Sequence, residues 1–207
     1  RYGLIALASS LAQIGPFTHS VTDAELLYDV MKGKDSMDST TIDDTTYPRT
    51  KEFAKRIGVP RAFVESEGVD PIVKANFAEA CERFKALGYE LVDIELPHIA
   101  YSLAAYYIIM PAEASSNLAR FDGVKYGLRK EGSTGIEDYF ETRGEGFGAE
   151  TRRRILLGTY VLSSGYSDEY YGSALAMKSL ITKELREAFR QVDLILTPTT
   201  PTAAFKA

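Results

Sequence analysis

Apolar positions recur along this chain with two periods, and each period predicts an element type. Val73, Phe77, Ala80, Phe84 and Leu87 follow steps of four, three, four and three, which predicts a helix that Asp70 and Pro71 open and Gly88 closes. Short apolar runs flank it, RIGVP at Arg56–Pro60 and an alternating Tyr89–Leu96 bounded by Pro97. Strand, helix and strand in that order predict an α/β unit with a parallel pair. Ala174, Met177, Ile181, Leu185, Ala188 and Val192 mark the longest helix, predicted over Tyr166–Val192, and DLILT at Asp193–Thr197 reads as a fully apolar strand.

The same reading applied nearer the start predicts an extended segment or strand at Gly3–Ala8. A helix follows, capped by Thr22 with Glu25 three residues on, carrying Leu26, Leu27, Val30 and Met31 and stopped by Gly33. Lys34–Pro48 is rich in Asp, Ser and Thr and reads as a surface loop, because it lacks the ligand spacing and central glycine of a calcium loop. Further helices are predicted near Ile136–Thr142 and over Glu150–Ser164, the latter with Ile155, Leu156 and Tyr160 on its apolar side.

One stretch does not keep its polar groups to one face. YSLAAYYIIMPAEASSNLARFDG, Tyr101–Gly123, begins apolar and then crowds a proline, a glutamate, two serines, an asparagine and an arginine into its second half. It predicts a helix of about 20 residues, kinked or broken at Pro111, whose polar end lies in or beside a pocket.

Composition is that of an ordinary globular protein, with 45% apolar and 26% charged residues and a net charge of −5. No basic block suits a nucleic-acid surface, and no apolar run reaches the ~20 residues that span a bilayer. Cys81 is the single cysteine, so no intrachain disulfide can form, and its apolar neighbours predict an inert buried thiol. With His19 and His98 far from it in sequence, a zinc site is not expected. Gly144–Gly148 (GEGFG) predicts a flexible turn rather than a phosphate loop, and Ser163-Ser164-Gly165 predicts cap residues rather than a nucleophile turn. Arg152-Arg153-Arg154 opens an apolar helix, and one of the three could hold a carboxylate through paired hydrogen bonds.

Four segments carry a resemblance: YGLIALASSLAQIGPFTHSVTDAELLYDVMKGKDSMDST, YYIIMPAEASSNLARFDGVKYGLR, RRRILLGTYVLSSGYSDEYY and DLILTPTTPT. Together they resemble the amidase-signature family, and within it the A subunits of the glutamyl-tRNA(Gln)/aspartyl-tRNA(Asn) amidotransferases, over nearly the whole chain. The resemblance implies an α/β/α sandwich around a mixed sheet, with residues 1–207 forming the C-terminal portion of a single amidase domain that is incomplete at both ends. It implies a Ser–cis-Ser–Lys triad upstream of Arg1, so no catalytic residue falls in this chain and the fragment alone is expected to be inactive. The activity implied is glutamine hydrolysis, the ammonia passing to a B subunit that uses ATP and Mg to amidate glutamyl-tRNA, with a small C subunit as a further partner. This chain is implied to hold no cofactor or metal, to meet tRNA mainly through the B subunit, to touch no membrane, and to be cytoplasmic. The glutamine contacts implied here are Tyr106 and Arg154, with Tyr107 and Arg153 as their neighbouring alternatives, and a further contact beyond Ala207. Ser115, Ser116 and Asn117 are expected to be structural. A general amidase and a non-catalytic scaffold are the alternatives.

Overall fold

The computed structural model describes residues 2–43 and 53–206. Its elements, in chain order, are α1 (Val21–Met31), β1 (Arg56–Val59), α2 (Arg61–Val64), α3 (Pro71–Ala86) and β2 (Glu90–Asp93). They continue with α4 (Ser102–Leu118), α5 (Gly135–Gly146), α6 (Ala149–Val161), α7 (Ser173–Gln191) and β3 (Leu194–Ile195). The chain forms two compact units, one from Arg1–Thr50 and Tyr107–Tyr171, the other from Lys51–Tyr106 and Gly172–Ala207. We call them the helical unit and the sheet unit.

In the sheet unit three parallel strands run in the order β2-β1-β3, with Ile57 opposite both Leu91 and Leu194 and Gly58 opposite Val92 and Ile195. Strand alternation sends Val59, Leu91 and Leu196 to one face, where they pack with Val64, Phe77 and Cys81 of α2 and α3. It sends Val92, Ile94 and Ile195 to the other, against Ala188 and Val192 at the end of α7. Both faces of the sheet are therefore covered by helices, the arrangement that makes parallel strands uniformly apolar. Ile57 and Val59 are 1% and 0% exposed, and each such burial is worth roughly 1.5–3 kcal/mol. Asp70 caps α3 by accepting from the Ile72 amide at 2.8 Å, and Gly88 turns the chain with φ +82°. This unit matches the sequence pattern closely. The strands differ in length, β2 spanning Glu90–Asp93 and β3 Leu194–Ile195, each shorter than its apolar run; Leu194 is 44% exposed, and the four-residue α2 has no counterpart in the expected elements.

The helical unit departs further. Gly3–Ala8 forms no ladder; Leu4 and Ile5 are exposed and only Ala8 is buried, in a turn where the Leu11 and Ala12 amides donate to its carbonyl. The cap of α1 lies two residues before Thr22: the Ser20 hydroxyl accepts from the Asp23 amide and donates to the Asp23 carboxylate. Ser20-x-x-Asp23 and Thr22-x-x-Glu25 have the same spacing, so spacing alone does not choose between them. Leu26, Leu27, Val30 and Met31 form the expected stripe, yet all four are exposed. Of the Lys34–Pro48 loop, residues 34–43 turn on Asp35 and Asp38, whose carboxylates accept from the Met37 and Thr40 amides; the remainder lies outside the described residues.

Pro111 does not break α4, which runs unbroken to Leu118 and ends before Gly123. The following loop is held by α5: Thr142, buried within it, accepts from the Lys130 amide and donates to the Lys130 carbonyl. Arg143 Nη1 donates to the carbonyls of Leu118, which the Phe121 amide also reaches, and of Phe121 just beyond the helix end. α5 outlasts its expected end at Thr142 and takes Gly144 and Gly146 into its last turn. The expected flexible turn thus reduces to a joint at Phe147 and Gly148. The expected Tyr166–Val192 helix is divided into a π-helical turn, Ser167–Gly172, and α7.

Candidate functional site

The second half of α4 packs on α6 through contacts that only small residues permit. A methyl group on Gly158 would fall 1.9 Å from the Pro111 carbonyl oxygen and 2.8 Å from the Ser115 hydroxyl. Ala112 and Ala114 are buried in the same stretch, and Met110 and Ala114 pack on Ala8. At this spacing the first turns of α6 bring the arginine run beside α4.

The three arginines separate by partner. Arg152 Nη1 donates to the Gly144 carbonyl over a long 3.4 Å. Arg153 forms a fork on Glu150, with Nε 2.8 Å from Oε2 and Nη2 2.7 Å from Oε1. Arg154 donates from Nε to the same Glu150 Oε1 at 2.7 Å, and its Nη1 lies 3.6 Å from the Met110 sulfur. The Arg154 side chain is 28% exposed against 59% for Arg153. Hydrogen bonds from Arg153 and then Arg154 hold the Glu150 carboxyl at a pKa of about 2, well below its ordinary value. The Arg153 pKa is raised by its bond to Glu150, by the Glu150 charge and, least, by Tyr107. Both tyrosines are partly exposed, 39% at Tyr106 and 48% at Tyr107; Tyr107 opens the α4 portion of the helical unit and Tyr106 closes that of the sheet unit. The structure thus gathers Arg153, Arg154, Glu150 and Met110, with Tyr107 in electrostatic reach.

A second polar group lies further along α4. The Glu113 carboxylate accepts from the Ser10 amide at 2.9 Å and from the Ser10 hydroxyl, while Asn117 Nδ2 donates to the Leu7 carbonyl and the Ser9 hydroxyl. Ser9, Ser10, Glu113 and Asn117, with Ser116 and Tyr171, line a cavity of about 320 Å³. Ser115 donates to the Ala112 carbonyl at 2.9 Å, so its hydroxyl is spent within the helix. The Glu113–Ser10 pairing spans 103 positions and leaves no periodic or motif signal. Gly158 and Glu150 were missed for a similar reason, since each takes its meaning from a neighbour on folding. An apolar groove of about 490 Å³ runs along α5 and α6, lined by Ile136, Phe140, Phe147, Ile155 and Leu156. The third residue of the expected apolar side, Tyr160, instead sits 4.7 Å ring to ring from Tyr166.

The remaining candidates are held in structural roles. Ser163 donates to the Tyr160 carbonyl at 2.7 Å, as a cap does. His98 pairs through Nδ1 with Glu184 at the side of a polar groove. Cys81 is buried in the α3 core, and desolvation pushes its thiol pKa up. Among the described residues no three His, Cys, Asp or Glu side chains gather to hold a metal ion, and no helix is long and apolar enough to cross a membrane.

The Amidase family model matches residues 1–207. The A subunit of glutamyl-tRNA(Gln) amidotransferase from Desulforapulum autotrophicum is 46% identical over 216 residues, covering all of this chain and 44% of the relative. The protein of that name in Carboxydothermus hydrogenoformans is 50% identical over 213 residues, with the same coverage. The chain therefore spans less than half the length of the curated relatives it matches. The crystal structure of the corresponding A subunit from Thermotoga maritima superposes with a TM-score of 0.68 at 37% identity, over 100% of this chain and 41% of that one. A crystal structure of an amidase, 24% identical with a TM-score of 0.64, shares the fold. With the family model matched from end to end and a helix-covered parallel sheet in place, this chain belongs to the amidase family.

Proposed function

We propose that this chain is the substrate-side part of a glutamine-hydrolysing A subunit of a tRNA-dependent amidotransferase. Its relatives at 46–50% identity bear that subunit's name, and the observation that carries the reading is the state of Arg154. Its side chain is partly buried beside α4, its Nε is engaged by Glu150, and its Nη1 meets the Met110 thioether sulfur, a weak acceptor. An arginine so placed keeps donors for an incoming carboxylate, the group that distinguishes glutamine from a simple amide. Arg154 grips the substrate α-carboxylate and Tyr106 is a second glutamine contact, with Arg153 and Tyr107 as the adjacent alternatives. Arg153 is the weaker of its pair because Glu150 already takes both ends of its fork.

In this reading residues 1–207 are part of one amidase domain, the serine–serine–lysine triad lies outside them, and the 207-residue chain by itself is inactive. ATP and Mg belong to the B subunit, where ammonia is consumed and tRNA is met. The complex is cytoplasmic and is completed by a small C subunit. The test is Arg154→Ala in the full-length protein. Glutamine KM rises steeply, by a loss of about 2–4 kcal/mol in transition-state binding, while hydrolysis of an aliphatic amide without an α-carboxylate is little changed. Unchanged glutamine kinetics would remove the assignment. A parent enzyme that prefers simple amides to glutamine would point to a general amidase instead.

A further inference from the structure

We propose that Glu150 is a positioning residue that sets the direction in which Arg154 presents its guanidinium to a substrate carboxylate. The inference rests on the reading of Arg154 just given. Glu150 sits one helical turn before Arg154 on α6, and its Oε1 takes the Arg154 Nε at 2.7 Å. An arginine offers a carboxylate two alternative forked edges, one containing Nε and one made by the two Nη groups. Occupying Nε closes the first edge and leaves the second. The Met110 sulfur beside Nη1 supplies a second point of definition, from a side chain only 2% exposed on α4. Two contacts from two helices thereby limit the guanidinium to one presentation.

Glu150 also balances charge. Its single negative charge is shared between Arg153 and Arg154, both bonded to Oε1, so the three side chains together carry one net positive charge. That matches one carboxylate. The two contributions of Glu150 oppose each other when it is neutralised. Gln keeps an acceptor oxygen but loses the charge, so the weakened Nε anchor lets Arg154 rotate and weakens binding, while the unmatched second positive charge strengthens long-range attraction. The exposed end of the cluster screens that attraction with solvent and salt, so the orientational loss prevails.

Glu150→Gln in the full-length protein raises glutamine KM about fivefold with kcat nearly unchanged, the order expected from one partly exposed ion pair. An aliphatic amide without an α-carboxylate is hydrolysed at the parent rate. Glu150→Asp, which keeps the charge but shortens the reach, falls between the two. An unchanged or lowered glutamine KM in Glu150→Gln overturns the proposal, as does an equal loss on the simple amide, which would mark a merely structural role. If Arg154→Ala raises glutamine KM and Glu150→Gln does not, positioning fails and the Arg154 reading stands. If Arg154→Ala itself leaves KM unchanged, both fall together.

Discussion

The two units build their interiors from different materials. In the sheet unit the core is made of branched and aromatic side chains: Ile57, Val59, Phe77, Ile94 and Val192 fill the layers on either side of three strands. In the helical unit the tightest packing comes from residues with little or no side chain, where Gly158 lies against the Pro111 backbone and Ala112 and Ala114 are buried nearby. Side-chain ends can rotate to absorb a new atom, whereas a helix backbone cannot move without carrying its whole face along. The difference places the rigid contact beneath the arginine-bearing helix and the adaptable one in the scaffold.

Gly158→Ala is the strongest way to break that contrast. In an exposed helix this exchange is favourable by up to about 1 kcal/mol; here the new methyl lands 1.9 Å from a backbone oxygen. A loss of about 3 kcal/mol in chemical denaturation of the full-length protein is expected. Stability equal to the parent would show that α4 and α6 are not held together rigidly. Gly58→Ala is the matching change in the sheet unit. Its methyl would meet Ile94 Cδ1 at 2.9 Å and Val192 Cγ2 at 3.1 Å, both side-chain ends. Repacking should limit the cost to about 1 kcal/mol, and a loss as large as at Gly158 would erase the distinction.

The units also perturb titratable groups by opposite means, which permits a gentler test. Burial raises the Cys81 pKa in the sheet unit, while hydrogen bonds from two arginines lower that of Glu150 in the helical unit. A carboxyl with a depressed folded pKa favours the native pairing above its ordinary range, and the contribution disappears as pH falls through the folded value. For Glu150 that window runs from its ordinary 4.5 down to about 2. Following the Glu150 carboxyl by NMR should give a midpoint near the lower value. A midpoint at its ordinary value would mean that the ion pairs of α6 do not persist in solution.

The sheet unit was legible because each of its signals is local. Asp70-Pro71 opens a helix before an apolar 3.6-residue repeat, and the short apolar runs at Arg56 and Asp193 both form parallel strands, although Leu194 stays 44% exposed. The helical unit was less so. Leu26, Leu27, Val30 and Met31 repeat as well as the stripe of α3, yet they remain exposed. Periodicity says which face is apolar and nothing about whether the described chain covers it. Leu4 and Ile5 likewise suggested a strand, but a strand requires a neighbour to pair with, and residues 3–8 find none among the described residues.

The candidate site divides along the same line. Residue types and motif text by themselves determined the family, the α/β class, and the shortlist of Tyr106, Tyr107, Arg153 and Arg154, because chemistry and local order are written in adjacent letters. The tertiary structure alone decided how the arginines are shared out: Arg153 forked on Glu150, Arg154 half-engaged and resting on Met110. It also decided that Pro111 packs on Gly158 instead of ending its helix, and that Glu113 is bound to Ser10. Those outcomes depend on which helix faces meet and at what distance, and the closest approach is set by the absence of a side chain, which carries no periodic signal.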